Sequence, residues 1–305
     1  MGRRRAERPG APSGVLVLDK PSGPTSHDLV SRVRRALDVR RVGHGGTLDP
    51  MATGVLACFV GKATRLVRYL GGADKTYLGT ARLGWATDTG DAEGVARAEP
   101  VIVPELTDEQ VETAMAGLTG DLLQRPPMVS AKKKDGKKLY ELAREGVEIE
   151  REPVPVSVRH FALLERDAES IRFEVCCSAG TYVRVLAEEL GEALGVPAHL
   201  AALRRTAAGP FTLEQAVSGD ELTRESAEGA LLSLTDVPLG MPELCVDAGG
   251  RRAFLHGQAV TGETITKEGD TMVVKDGEGA LLGVGRVTEG GEVQPETVVA
   301  SVDED

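Results

Sequence analysis

One stretch concentrates the groups that could do chemistry: Gly43-His44-Gly45-Gly46-Thr47-Leu48-Asp49-Pro50-Met51-Ala52-Thr53-Gly54-Val55-Leu56. It carries one carboxylate, one imidazole and two hydroxyls, and three of the four residues from Gly43 to Gly46 are glycines. Glycine lets a backbone take positive φ and approach a ligand closely. Pro50 fixes its own φ and pushes Asp49 out of helical geometry. Such an irregular loop is expected to line a cleft. Asp49 is its only acid, and a carboxylate can act as nucleophile, as stabiliser of developing positive charge or as proton acceptor. A glycosidase would need a second, positioned carboxylate, and no convincing partner for Asp49 stands out. Taken alone, Asp-Pro is also an ordinary turn starter.

The flanking segments must hold this loop. Val15 to Leu18 reads as a short buried strand. It runs into the polar turn Asp19-Lys20-Pro21-Ser22-Gly23-Pro24-Thr25-Ser26, where Thr25 or Ser26 can cap a helix whose apolar face holds Leu29, Val33, Ala36 and Leu37. After the loop come a strand over Val55 to Val60, a short helix over Lys62 to Leu70 and a strand from Lys75 to Trp85. Tyr77 near its start offers a flat face on which a base could stack, worth ~1–3 kcal/mol. Asp88 to Gly94 reads as a structural acidic turn, since its spacing is wrong for calcium. Thr107 and Gln110 form a capping box before a helix to Leu118. Val154 to Leu164 and Ile171 to Cys177 alternate as paired strands. A Gly180-Thr181 turn then opens a helix to Leu194. A helix N-terminus disfavours a cation, so Arg184 there is expected to have an acidic partner.

These blocks, in this order from Val15 to Phe211, resemble the TruB family of tRNA pseudouridine synthases. The Asp49 loop resembles the family's catalytic loop without a gap. Asp19-Lys20-Pro21 resembles its first motif, Gly180-Thr181-Tyr182-Val183-Arg184 a later one, and Leu203-Arg204-Arg205-Thr206 its final core motif. Pro126 to Tyr140, with five lysines between Lys132 and Lys138, resembles a further motif but has Val129 where an aromatic is expected.

The resemblance implies isomerisation of the T-loop uridine of tRNA (position 55) after the base is flipped out of its stack. Asp49, Arg184 and Tyr77 would be catalytic. Arg184 would pair with Asp49, lower its pKa and fix its rotamer. His44, Tyr182, Leu203, Lys20, Gly45 and Thr47 would bind substrate, with His44 as a plug in the RNA loop and Leu203 as an apolar wall. The implied fold is α+β: a central, mostly antiparallel sheet flanked by helices, plus a small β-rich, PUA-like C-terminal domain. Residues 1–13 read as a disordered basic arm, 14–240 as the catalytic domain and 241–305 as the C-terminal domain. The expected partner is the tRNA T arm, with no cofactor, no metal, no membrane and a monomeric, cytoplasmic enzyme. The alternative is a non-catalytic RNA-binding or tRNA-folding module, against which the intact Asp49 and Arg184 argue.

Composition agrees with a globular chain. Of 305 residues 41% are hydrophobic and 27% charged, ordinary proportions. The longest apolar run, Val55 to Val60, is far short of the ~20 residues that span a bilayer, and no apolar stretch follows the N-terminal arginines as a signal peptide requires. Four cysteines and five histidines lack metal-ligand or disulfide spacing. Gly61-Lys62 fails as a phosphate loop because Leu56 stands where the first glycine belongs. The net charge of −11 is uneven: residues from Met241 hold 13 acids against five bases, a net of −8. The first 240 residues are thus close to neutral and can still present a local RNA-binding face.

Overall fold

The computed structural model describes residues 10–127, 133–134, 137–138, 151–262 and 267–301. The elements run β1 (Gly14–Lys20), α1 (Ser26–Leu37), β2 (Val42–His44), β3 (Thr53–Val60), a 3-10 turn (Gly61–Leu66), α2 (Val67–Leu70), β4 (Lys75–Leu83), α3 (Asp108–Gly117) and β5 (Gly120–Gln124). Two short strands, β6 (Lys133–Lys134) and β7 (Lys137–Lys138), pair with each other. Then follow β8 (Val154–Arg166), β9 (Ser170–Cys177), α4 (Val183–Ala193), β10 (Ala198–Ala208), β11 (Phe211–Thr212), β12 (Val217–Ser218), α5 (Arg224–Gly229) and β13 (Leu232–Ser233). The last part comprises β14 (Glu243–Val246), α6 (Ala248–Leu255), β15 (Thr271–Asp276), β16 (Leu281–Val287) and β17 (Val293–Val298).

The large sheet runs β12-β1-β3-β10-β4-β9-β8-β5 and is mostly antiparallel, as expected; β1–β12 and β3–β10 are parallel. Its two halves differ in burial for reasons visible in the chain. β1 and β3 are buried on both faces and accordingly read as continuous apolar runs. One face packs on Leu29, Val30, Val33 and Leu37 of α1, and the other on Phe59's neighbours Leu66, Leu70 and Phe211. β4 and β9 alternate strictly. Their inward residues, among them Tyr77, Ala81, Ile171, Phe173 and Val175, meet α4 and α3 in a second core. Phe173 lies over Gly79, where a Cβ would sit 2.3 Å from the ring.

The halves join through only two residue pairs, Thr53 with Arg204 and Gly54 with Arg205. Gly54 has φ +100°, and a Cβ there would fall 2.1 Å from the Arg205 carbonyl oxygen. Only glycine permits this approach. The loop before Gly54, with Asp49, therefore emerges where the sheet divides.

The C-terminal four-stranded sheet, β14-β15-β16-β17, is the expected small β-rich unit. It docks on the 3-10 turn and α2: Val273, Leu281, Val284 and Val299 join the core around Leu66 and Leu70. Lys62 Nζ donates to Ser301 Oγ at 2.6 Å, Arg65 donates to the Val298 carbonyl, and Tyr69 Oη meets Thr297 Oγ1 at 2.9 Å.

Several local expectations differ. Residues Ser218 to Leu239 contain one six-residue helix, α5, rather than a helical connector; it ends at Gly229, a poor helix former. Lys62 to Leu70 is split into a 3-10 turn and a four-residue helix. Ser13, placed in the basic arm, is ordered against the body, its Oγ accepting from Lys62 N at 3.1 Å. Residues 1–9 and, apart from the backbones of β6 and β7, the lysine-rich motif lie outside the described residues.

Candidate active site

The Asp49 loop is braced from below. The Lys20 ammonium is fully buried and donates to the carbonyls of Pro21 (2.9 Å), Pro50 (2.9 Å) and Ala52 (2.7 Å). Two of these, Pro50 and Ala52, closely follow Asp49 in sequence. Ser26 Oγ accepts from Leu48 N (2.8 Å) and donates to Leu48 O (3.0 Å), so the start of α1 fixes the loop on its other side. Burial lowers the Lys20 pKa to about 8, against the pull of Asp49.

Asp49 faces Arg184, the second residue of α4. Arg184 Nε lies 3.0 Å from Asp49 Oδ2, and Nη2 donates to Oδ1 at 3.3 Å. Nη1 donates to the Thr89 carbonyl at 2.8 Å and lies 3.4 Å from Asp91 Oδ2. The guanidinium is thus held between two carboxylates, with Arg184 and Asp91 buried and about a third (35%) of the Asp49 side chain left open to the cavity. Arg184 lowers the Asp49 pKa, as expected, but the net shift is upward. Burial pushes the carboxyl above the ordinary range, and Asp91 adds to the rise; Arg184 and Lys20 pull it back only in part. Desolvation of the charged form outweighs the ion pair.

A cavity of about 400 Å³ opens beside Asp49, within the size range of small-molecule sites. Gly46, Thr47, Leu48, Tyr77, Tyr182 and Leu203 contribute to its wall. Tyr77 and Arg205 are directly paired across β4 and β10; burial raises the Tyr77 phenol, opposed by Arg205. Tyr182 is the N-cap of α4, and Gln124 clamps its peptide, accepting from Tyr182 N at 2.7 Å and donating to Tyr182 O at 3.2 Å. His44 ends β2, and its Nδ1 accepts from Gly46 N at 3.3 Å. Burial and the nearby Arg205 lower its pKa, which favours the neutral ring.

The structure thus brings Asp49, Arg184, Tyr77, Thr47, Tyr182 and Leu203 around one cavity. Lys20 and Gly45 have other surroundings than the substrate contact expected of them. Lys20 is spent on three carbonyls, and a Cβ at Gly45 would meet the Phe59 ring at 3.1 Å while Gly46 faces the cavity. Four residues of the site went unassigned in the sequence. Asp91 was read as part of a structural turn, and nothing local distinguishes it from Asp88. Gln124 carries no signal beyond its position at a strand end. Lys75 and Arg205 did carry one: strand alternation puts Lys75 on the buried face with Tyr77, and one of the adjacent Arg204 and Arg205 must face inward.

The chain matches three family models: TruB family pseudouridylate synthase (N terminal domain) over residues 34–183, tRNA pseudouridylate synthase B C-terminal domain over 184–234, and Pseudouridine synthase II TruB, C-terminal over 242–299. It is 45% identical to a tRNA pseudouridine synthase B of Chromohalobacter salexigens, with 97% of this chain and 96% of that one covered. With the Stutzerimonas stutzeri protein of the same name it shares 43% identity over 95% and 96%. Among solved structures, an H/ACA RNP bound to a substrate RNA containing 2′-deoxyuridine is similar with a TM-score of 0.73 and 25% identity, covering 98% of this chain and 93% of that chain. A Cbf5-Nop10-Gar1 complex is similar with a TM-score of 0.72 and 28% identity over 94% and 85%.

Proposed function

The chain belongs to the TruB family of pseudouridylate synthases and is a tRNA pseudouridine synthase, and from that premise we propose that the Asp49 cavity isomerises the T-loop uridine of tRNA. The observation that carries this reading is the Asp49–Arg184 pair at the mouth of a base-sized cavity. The reaction breaks the N1–C1′ bond, turns the uracil and joins C5 to C1′; C5 loses a proton and N1 gains one. Asp49 is the group placed to meet C1′, as a nucleophile or as a stabiliser of the cationic sugar. Arg184 fixes the carboxylate rotamer and favours its ionised form.

The uridine must leave its stack to reach Asp49, at a cost of a few kcal/mol. Tyr77 and Tyr182 supply rings and Leu203 an apolar wall for the extruded base, and His44 fills the vacated space. Residues 14–240 form the catalytic unit and 241–305 a companion domain. The enzyme acts as a monomer in this reading, and tRNA as substrate supports a cytoplasmic site of action. Among the described residues no helix is long and apolar enough to cross a membrane.

The test is to map the product. Carbodiimide-dependent primer-extension stops on treated tRNA transcripts should appear once, in the T loop. A stop elsewhere, or several, would overturn the assignment of the target uridine.

A further inference from the structure

Two cations line the cavity with no carboxylate in ion-pair contact among the described residues. Lys75 and Arg205 are 6% and 2% exposed, and both contribute to the cavity wall. They meet at Gly46, where a Cβ would lie 3.5 Å from Arg205 Nη1 and 3.6 Å from Lys75 Cε. Lys75 Nζ donates to the carbonyls of Gly71 (2.7 Å) and Ala73 (2.6 Å). Arg205 Nε donates to Val55 O at 2.6 Å and Nη2 to Gly46 O at 3.1 Å. Arg205 also hydrogen-bonds the Tyr77 phenol. An ammonium has three N–H groups and a guanidinium five, so one on Lys75 and two on Arg205 have no protein acceptor among the described residues. Neither side chain has a carboxylate within ion-pair distance among those residues, whereas the neighbouring Arg184 has two and Arg204 is paired with Asp19.

Burying a cation without a counter-charge is costly, and placing two side by side costs more. Burial and Arg205 lower the Lys75 pKa, opposed only in part by Cys177 and Asp74. Such an arrangement is expected where negative charge arrives during the reaction. The reaction itself generates it. Whether Asp49 attacks C1′ or stabilises a cation there, the electron pair of the N1–C1′ bond leaves with the base. The uracil becomes a monoanion with its charge spread over N1, O2 and O4. A phosphate of the RNA is the less apt occupant, because both cations sit deep on β4 and β10, on the strand faces that also carry Tyr77 and Leu203.

We propose that Lys75 and Arg205 form an oxyanion-type site that donates to the carbonyl oxygens of the departing uracil and stabilises it as an anion between cleavage and reattachment. When C5 re-bonds to C1′ the uracil's electron pair forms the new bond, which discharges the anion and neutralises the sugar cation or releases Asp49 as its carboxylate; transfer of the C5 proton to N1 then restores the conjugated base. No co-reactant is needed. This deepens the proposed function and rests on it.

The experiment compares the single-turnover rate of glycosidic rearrangement, the loss of the N1–C1′ bond and formation of the C5–C1′ bond, in tRNA carrying uridine or 5-fluorouridine at the target, for wild type, Arg205→Met and Lys75→Met. Fluorine stabilises the uracil anion by itself. The expected result is a loss of ~100-fold on uridine that shrinks at least tenfold on 5-fluorouridine, with tRNA affinity little changed and with partial rescue in Arg205→Lys. Equal losses on both substrates would show a merely structural role for the cations and overturn the proposal. Because both side chains also brace backbone, a wild-type measurement stands beside this one. Tritium-free binding of 6-azauracil, an isostere of uracil that ionises near neutrality, is measured against uracil with tRNA abasic at the target. At mildly alkaline pH the anion should bind at least tenfold more tightly; equal or weaker binding contradicts the proposal. Absence of any wild-type conversion of uridine tRNA would instead sink the proposed function.

Discussion

Arg184 Nε stands 3.0 Å from Asp49 Oδ2 while Nη1 of the same guanidinium stands 3.4 Å from Asp91 Oδ2. One buried cation therefore holds apart two carboxylates that come from different loops. Removing it leaves Asp91, almost fully buried, without its counter-charge. Arg184→Met is predicted to lose about 3 kcal/mol of stability, the scale for breaking a buried pair, and activity by more than tenfold. Arg184→Lys should keep part of the stability but little of the activity, since an ammonium cannot span both acids and the Thr89 carbonyl. Chemical denaturation and single-turnover assays on the two variants check this.

Asp49 gives a pH signature of definite sign. Unfolded, it titrates near ~3.9; folded, burial places it higher. A raised carboxyl binds its proton more tightly in the folded state, so its contribution to stability is greatest below the unfolded value and is lost as pH rises through the folded one. Above that value the charged, partly desolvated carboxylate weighs on the fold. Asp49→Asn should therefore melt higher than wild type near neutral pH, and the difference should vanish toward ~3.9. The acid limb of wild-type kcat/KM should lie above that same figure. A variant that melts lower than wild type at neutral pH contradicts the desolvation account.

Lys20 ties two carbonyls of the catalytic loop to that of Pro21 from beneath. Lys20→Met leaves them without a donor at ~1–3 kcal/mol for each buried acceptor. The expected outcome is a lower melting temperature and a kcat reduced at least tenfold, with tRNA affinity changed far less. Because its pKa is lowered to about 8, wild-type kcat should also decline above that pH, and pH–rate profiles should show this limb missing in the variant.

Gln124 holds the Tyr182 peptide from both sides. Gln124→Ala removes both hydrogen bonds to Tyr182, so it should cost ~1–3 kcal/mol and loosen the start of α4, on which Arg184 rides. Activity should fall through kcat more than through KM, measured under steady-state conditions with tRNA.

Much of this was legible in the chain. The buried strands β1 and β3 announce themselves as apolar runs, β4 and β9 by alternation, and α1 and α3 by their capping threonines. The Asp49 loop and Arg184 stood out because glycines, Asp-Pro and a cation at a helix start each break a local rule. What stayed hidden depends on long-range contact. Asp91 acquires meaning only when Arg184, 93 positions away in sequence, packs against its turn. Gln124 does so only when Tyr182 arrives beside it. The net direction of the Asp49 shift stayed hidden because the partner that lowers it is visible in sequence while the walls that desolvate it are not.

The most direct measurement is tritium release from tRNA transcripts carrying [5-³H]uridine, with wild type and Asp49→Asn side by side. C5 gives up its hydrogen only when it becomes the glycosidic carbon. The account predicts release approaching one hydrogen per tRNA with wild type and none with the variant, while tRNA still binds both. Release that persists in Asp49→Asn would show that the carboxylate at the centre of this site is not the one that performs the isomerisation.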